Sequence, residues 1–158
     1  MHAYCLFCET QRCRQIAEYI RKTCGYQCFS PQLVQRKWVK GIMTETSHDW
    51  LPGYLFLYTE EPTIRRFNID GIIRILGKGE LEGQDRQFTE MIYHREGVMG
   101  TIPLIQEGGR CRIKDPAWEN LQGKVVKLDR ERKRCCVSFE FDGQIHTVWA
   151  GYEIIRTE

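Results

Sequence analysis

The chain has 158 residues, a formal net charge of +2, and 42% hydrophobic against 28% charged residues. That balance suits one ordinary globular domain or two small ones and excludes a disordered tail. No apolar run approaches the roughly 18 residues a membrane span needs, and residues 1–9 lack the basic start and apolar stretch of a secretory signal, so a cytoplasmic protein without a membrane partner is expected. Its eight cysteines are then expected as reduced thiols, not as a disulfide framework.

Residues 4–8 are apolar and aromatic, which suits a buried strand. Thr10 offers an N-cap for a helix over 11–23, where Cys13, Ile16, Ala17 and Ile20 recur at helical spacing and Gly25 follows as a C-terminal glycine. Residues 27–36 read as a strand broken by Pro31, and 37–49 as a polar hairpin arm or mobile loop. A tight turn at Leu51-Pro52-Gly53 leads into the strongly apolar strand ending at Tyr58. Pro62 predicts a brief helix over 63–67, the β-branched stretch 69–76 a strand, and 85–95 a helix with Phe88, Met91 and Ile92 on one side.

Residues 1–96 thus form an α+β domain with helices packed on a sheet. Residues 97–104, with Gly97, Gly100 and Pro103, have the composition of a linker. Beyond it five short strands are predicted, at 110–113, 124–129, 134–141, 144–149 and 153–156, with Asp142-Gly143 as a two-residue hairpin turn. Closely spaced strands of this kind imply a small five-stranded β-barrel over 105–158.

Charge is unevenly spread. Residues 110–134 hold nine Lys or Arg against four acids, whereas 135–158 hold one Arg against four acids. Arg112, Lys114, Lys124, Lys127, Arg130, Arg132, Lys133 and Arg134 therefore form a candidate RNA-binding set, the last of them flanking a hairpin turn where long cationic side chains converge. Arg36, Lys37, Trp38 and Lys40 make a smaller basic arm with one aromatic, better read as a solvated loop than as a single-strand contact.

Several elements in order resemble the NusG family of transcription elongation factors, an N-terminal NusG (NGN) domain followed by a KOW barrel. They are Tyr4 in the first strand, the helix from Arg12 to Lys22, the turn Leu51-Pro52-Gly53-Tyr54, and Gly71-Ile72-Ile73-Arg74-Ile75-Leu76-Gly77. They continue with Glu107-Gly108-Gly109-Arg110, Gly123-Lys124-Val125-Val126, and Tyr152-Glu153-Ile154-Ile155. Ala3 stands where the family usually has tryptophan, Gln11 and Cys13 replace glycine and glutamate at the helix start, and Asp115-Pro116-Ala117-Trp118 replaces Gly-Pro-Phe. Such departures resemble a specialised antitermination paralogue serving particular operons.

The resemblance implies a monomeric binding protein with no catalytic residues and no cofactor. The first domain would dock the clamp helices of the RNA polymerase largest subunit in an apolar depression, for which Tyr4, Phe7, Leu51, Pro52, Gly53, Tyr54 and Phe56 are the candidate wall. Arg12 and Arg14 would meet non-template DNA. The barrel would recruit an RNA hairpin, a ribosomal protein or a termination factor. The alternative is a ribosome-associated or free RNA-binding KOW protein that does not touch polymerase. Metal binding is not expected, because Cys5 and Cys8 face opposite sides of a strand and no second pair completes a site. No base or oxyanion donor is placed beside any thiol, and Gly77-Lys78-Gly79 is too short for a phosphate loop.

Overall fold

A computed structural model describes residues 1–61, 69–76 and 79–158. In chain order the elements are β1 (His2–Cys8), a 3₁₀ turn (Thr10–Arg12), α1 (Cys13–Tyr19) with a π-helical turn (Ile20–Cys24), β2 (Gln27–Phe29), β3 (Gln32–Val39), β4 (Ile42–Asp49), β5 (Tyr54–Thr59) and β6 (Ile72–Ile75). Then follow α2 (Gly83–His94), β7 (Val98–Met99), β8 (Ile102–Glu107), β9 (Arg110–Ile113), α3 (Pro116–Asn120), β10 (Lys124–Asp129), β11 (Arg134–Phe141) and β12 (Gln144–Thr157). The result is mixed α+β with strands predominating. Among the described residues no helix is long and apolar enough to cross a membrane. The helix predicted over 63–67 lies outside the described residues.

The chain divides into two compact units, Met1–Gln32 with Asp49–Gly97, and Leu33–His48 with Val98–Glu158. In the first, an antiparallel sheet runs β2-β5-β1-β6. Strand alternation sorts its side chains. Tyr4, Leu6, Cys8, Leu55 and Leu57 bury against Cys13, Ile16, Ala17 and Ile20 of the α1 segment. Phe56 turns the other way, onto Phe88 of α2 with ring centroids 5.8 Å apart, and Trp50 meets the same ring edge-on at 5.1 Å. The helix start differs from the predicted Thr10 cap. Glu9 sits at the N-cap with its N–H held by Gly71 O at 2.8 Å, so a 3₁₀ turn intervenes and α1 begins at Cys13. Gly25 ends the segment in the left-handed conformation, φ +74°.

In the second unit the sheet order is β10-β11-β12-β8-β9, antiparallel except for the parallel pair β12–β8. The sheet curls into a half-barrel over Leu104, Ile113, Trp118, Val137, Phe139 and Phe141, all at most 3% exposed. Asp142 and Gly143 both take positive φ, +54° and +67°, as the predicted two-residue hairpin turn requires.

Four features differ from expectation. The sequence 144–156 is one strand and not two, because β12 pairs with β11 as far as Gly151 and then with β8 from Tyr152 onward. Asp115 caps a short helix through Ala117 N (2.9 Å), with Pro116 in its first turn, where no element is predicted between the strands at 110–113 and 124–129. The stretch expected as a linker carries β7 and the start of β8. The half-barrel stays open, since its end strands β9 and β10 share no ladder.

The arm over 37–49 is also regular. β3 and β4 form a hairpin, joined to β7 in a three-stranded sheet, and its body belongs to the second unit. Gly151 of β12 makes the close seating possible, since a Cβ there would lie 2.8 Å from Gln35 Nε2.

Candidate functional site

The residues predicted to contact polymerase and DNA lie in the first unit, and those predicted to contact RNA in the second. In the first, Gly53 fixes the turn. Its φ is +91°, its carbonyl accepts from Cys8 N at 2.7 Å, and a Cβ would meet the Phe7 ring at 2.9 Å. Phe7 in turn contacts its cross-strand partner Tyr54 edge-on at 5.3 Å and lies beneath the Arg74 guanidinium at 5.6 Å.

Of the seven predicted wall residues, Tyr4, Leu51, Gly53, Tyr54 and Phe56 are buried, Phe7 is half-buried and Pro52 is exposed. Tyr4 faces α1, on the opposite side of the sheet from Phe7, Tyr54 and Phe56. Apart from Tyr4, the set is therefore a buried floor with a narrow apolar rim at Phe7 and Pro52, and the edge strand β6 sets Arg74 beside Phe7.

Arg12 and Arg14 stand at the start of α1, each already engaged. The Arg12 guanidinium lies 2.8 Å from Asp70 and 3.7 Å from Glu9. Asp70 is the main reason that Arg12 titrates above its ordinary value, and Arg12 holds the Asp70 carboxyl below the usual range. Arg14 donates to Gln32 Oε1, whose amide nitrogen donates to Asp49 Oδ1 at 2.6 Å.

In the second unit alternation along β11 buries Cys135, Val137, Phe139 and Phe141 and turns Arg134, Cys136 and Ser138 outward. Cross-strand register carries that outward row to Lys124, Lys127 and Asp129 on β10 and to Thr147, Trp149 and Gly151 on β12. The turn 130–133 presents Arg130, Arg132 and Lys133, all exposed. Asp129 organises it: Oδ1 accepts from the Arg132 main-chain N–H at 3.1 Å, and Oδ2 lies 3.6 Å from Arg134 Nε. That main-chain donor is the first cause of a carboxyl held below its ordinary range. Arg134 spreads over the Trp149 ring at 4.7 Å.

Arg112 is tied to Glu107 at 3.1 Å, and Lys114 is exposed beyond the end of β9. The edges of β9 and β10 face a groove of about 370 Å³ lined by Arg110, Lys127 and Arg130 among others. Six of the eight predicted RNA-contact residues, Lys124, Lys127, Arg130, Arg132, Lys133 and Arg134, cluster on β10, β11 and their turn.

Sequence reasoning left out Arg110, Trp149 and His48 as contributors to a binding face. Burial pushes the Cys135 thiol up to about 12, which suits a core group and not a nucleophile. Among the described residues no three His, Cys, Asp or Glu side chains converge as metal ligands. The chain matches no protein-family model and no curated protein.

Proposed function

We propose that this chain is a transcription elongation or antitermination factor of the NusG kind, with residues 1–96 as its NGN domain and 105–158 as its KOW domain. It acts by binding, without a catalytic step. The rim of Phe7 and Pro52 receives the clamp helices of the polymerase largest subunit, and the basic outward face holds a hairpin of the nascent RNA. Apolar rim and charged face suit different partners, because the first gains by excluding water and the second by releasing counterions.

The observation that carries the reading is that one chain joins two features. One is an α+β unit whose Leu51-Pro52-Gly53-Tyr54 turn is locked against Phe7; the other is a curled sheet with cations clustered around a single turn. Two measurements test it. Immobilised full-length protein is expected to retain RNA polymerase, and failure to do so rejects the elongation-factor reading. Affinity for an RNA stem-loop is expected to fall with salt, and in R132A/K133A/R134A the slope of log affinity on log salt is expected to drop by about two to three. An unchanged slope rejects the basic face as the RNA site.

A further inference from the structure

The hairpin β3–β4 changes what the basic face consists of. Its residues lie within the second unit, and Gln35 Nε2 donates to Lys133 O at 3.4 Å while His48 Nε2 donates to Trp149 O at 2.6 Å. Between hairpin and half-barrel lies a cleft of about 250 Å³ lined by Gln35, Lys37, Thr46, His48, Arg134, Trp149 and Ala150. No carboxylate is among these lining residues, whereas Lys37 and Arg134 both bring positive charge.

The period of two along β3 decides which arm residues take part. Gln35 and Lys37 share the face turned to the cleft; Arg36 points the other way and pairs with Glu45 across the hairpin at 3.2 Å. Arg134 supplies the second observation. Its Nε is buried and makes no hydrogen bond, since the Asp129 oxygen at 3.6 Å is beyond bonding distance. Its side chain as a whole is 35% exposed, and an anionic oxygen entering the cleft would meet positive charge from both Lys37 and Arg134. Trp149 floors the cleft with a ring that already accepts a guanidinium on one face.

We infer that the cleft binds a backbone phosphate of RNA between Lys37 and Arg134, so that the hairpin arm and the half-barrel form one continuous RNA-binding face. The inference rests on the RNA-binding reading above and deepens it. The strand runs from the cations of the 130–133 turn into the cleft and toward the arm, whose Trp38 is 71% exposed at the far end.

Two neighbouring substitutions with the same charge change give the test. In the full-length protein, binding of a labelled RNA stem-loop with single-stranded flanks is measured against salt for wild type, Lys37→Gln, Arg36→Gln and R132A/K133A/R134A. Lys37→Gln is expected to weaken binding several-fold and to lower the salt slope by about one, with Arg36→Gln close to wild type. Lys37→Arg is expected to restore the slope. Equal losses for Lys37→Gln and Arg36→Gln would mean only diffuse attraction and would overturn the cleft; so would no loss for either, while the triple variant still fails to bind. A wild-type protein that does not bind the RNA would instead remove the reading on which the inference rests. Circular dichroism of each variant separates a lost contact from a lost fold.

Discussion

The apolar rim in the first unit and the basic face in the second are made of residues that do opposite amounts of structural work. Five of the seven rim candidates are buried and hold the sheet together, whereas Lys124, Lys127, Arg130, Arg132 and Lys133 are all exposed. Changing a rim residue therefore alters stability before it alters recognition. Changing an outward cation on β10 or its turn is expected to leave stability nearly unchanged.

The comparison breaks most sharply at Phe56. Packed on Phe88 and fully buried, it is expected to cost about 3–5 kcal/mol on Phe56→Ala, read as a shift in denaturant midpoint at constant slope. Gly53→Ala follows, at about 1–3 kcal/mol, because the left-handed backbone and the Phe7 ring both resist a Cβ. A cost below a few tenths there would show that the turn relaxes freely. Ile73→Ser, at an exposed position of the edge strand β6, is expected within about 0.5 kcal/mol of wild type by the same assay.

The smallest effect concerns Asp129. Its carboxyl is held below its unfolded value, chiefly by the Arg132 main-chain N–H. The turn's gain is therefore fully present above the ordinary carboxylate range and is lost as pH falls through the lower, folded value. A carbon-detected NMR titration should place Asp129 below an unperturbed aspartate. Arg132→Ala should leave most of that displacement in place, since the principal donor is main chain. A return to the ordinary value would instead assign it to the guanidinium.

What could be read from the sequence follows the range of each signal. The α1 segment, α2, β5 and the Asp142-Gly143 turn declare themselves within a dozen residues, through apolar spacing or through residues that tolerate positive φ. The fate of Tyr4 was also present in its parity with Leu6 and Cys8, and Asp115-Pro116 is an ordinary start signal for α3. β4 was harder, because Thr44, Glu45, Thr46, Ser47 and His48 show no apolar alternation and their strand form comes from pairing with β3. The cleft itself was out of reach. His48 and Trp149 are 101 positions apart, and neither residue signals the other until the half-barrel exists.

That separation has a kinetic consequence. During synthesis the arm emerges long before β11 and β12, the strands on which it rests, so its polar faces must wait in water while later sequence is made. Closure of β12 on β8 is likewise a distant pairing, slow compared with helix formation. Thr44, Glu45, Thr46, Ser47 and His48 keep one half of β4 polar while it waits, whereas Trp38, Val39, Ile42 and Met43 leave the hairpin tip apolar and exposed. Hydrogen exchange during refolding should accordingly find the amides of residues 42–48 among the last to gain protection.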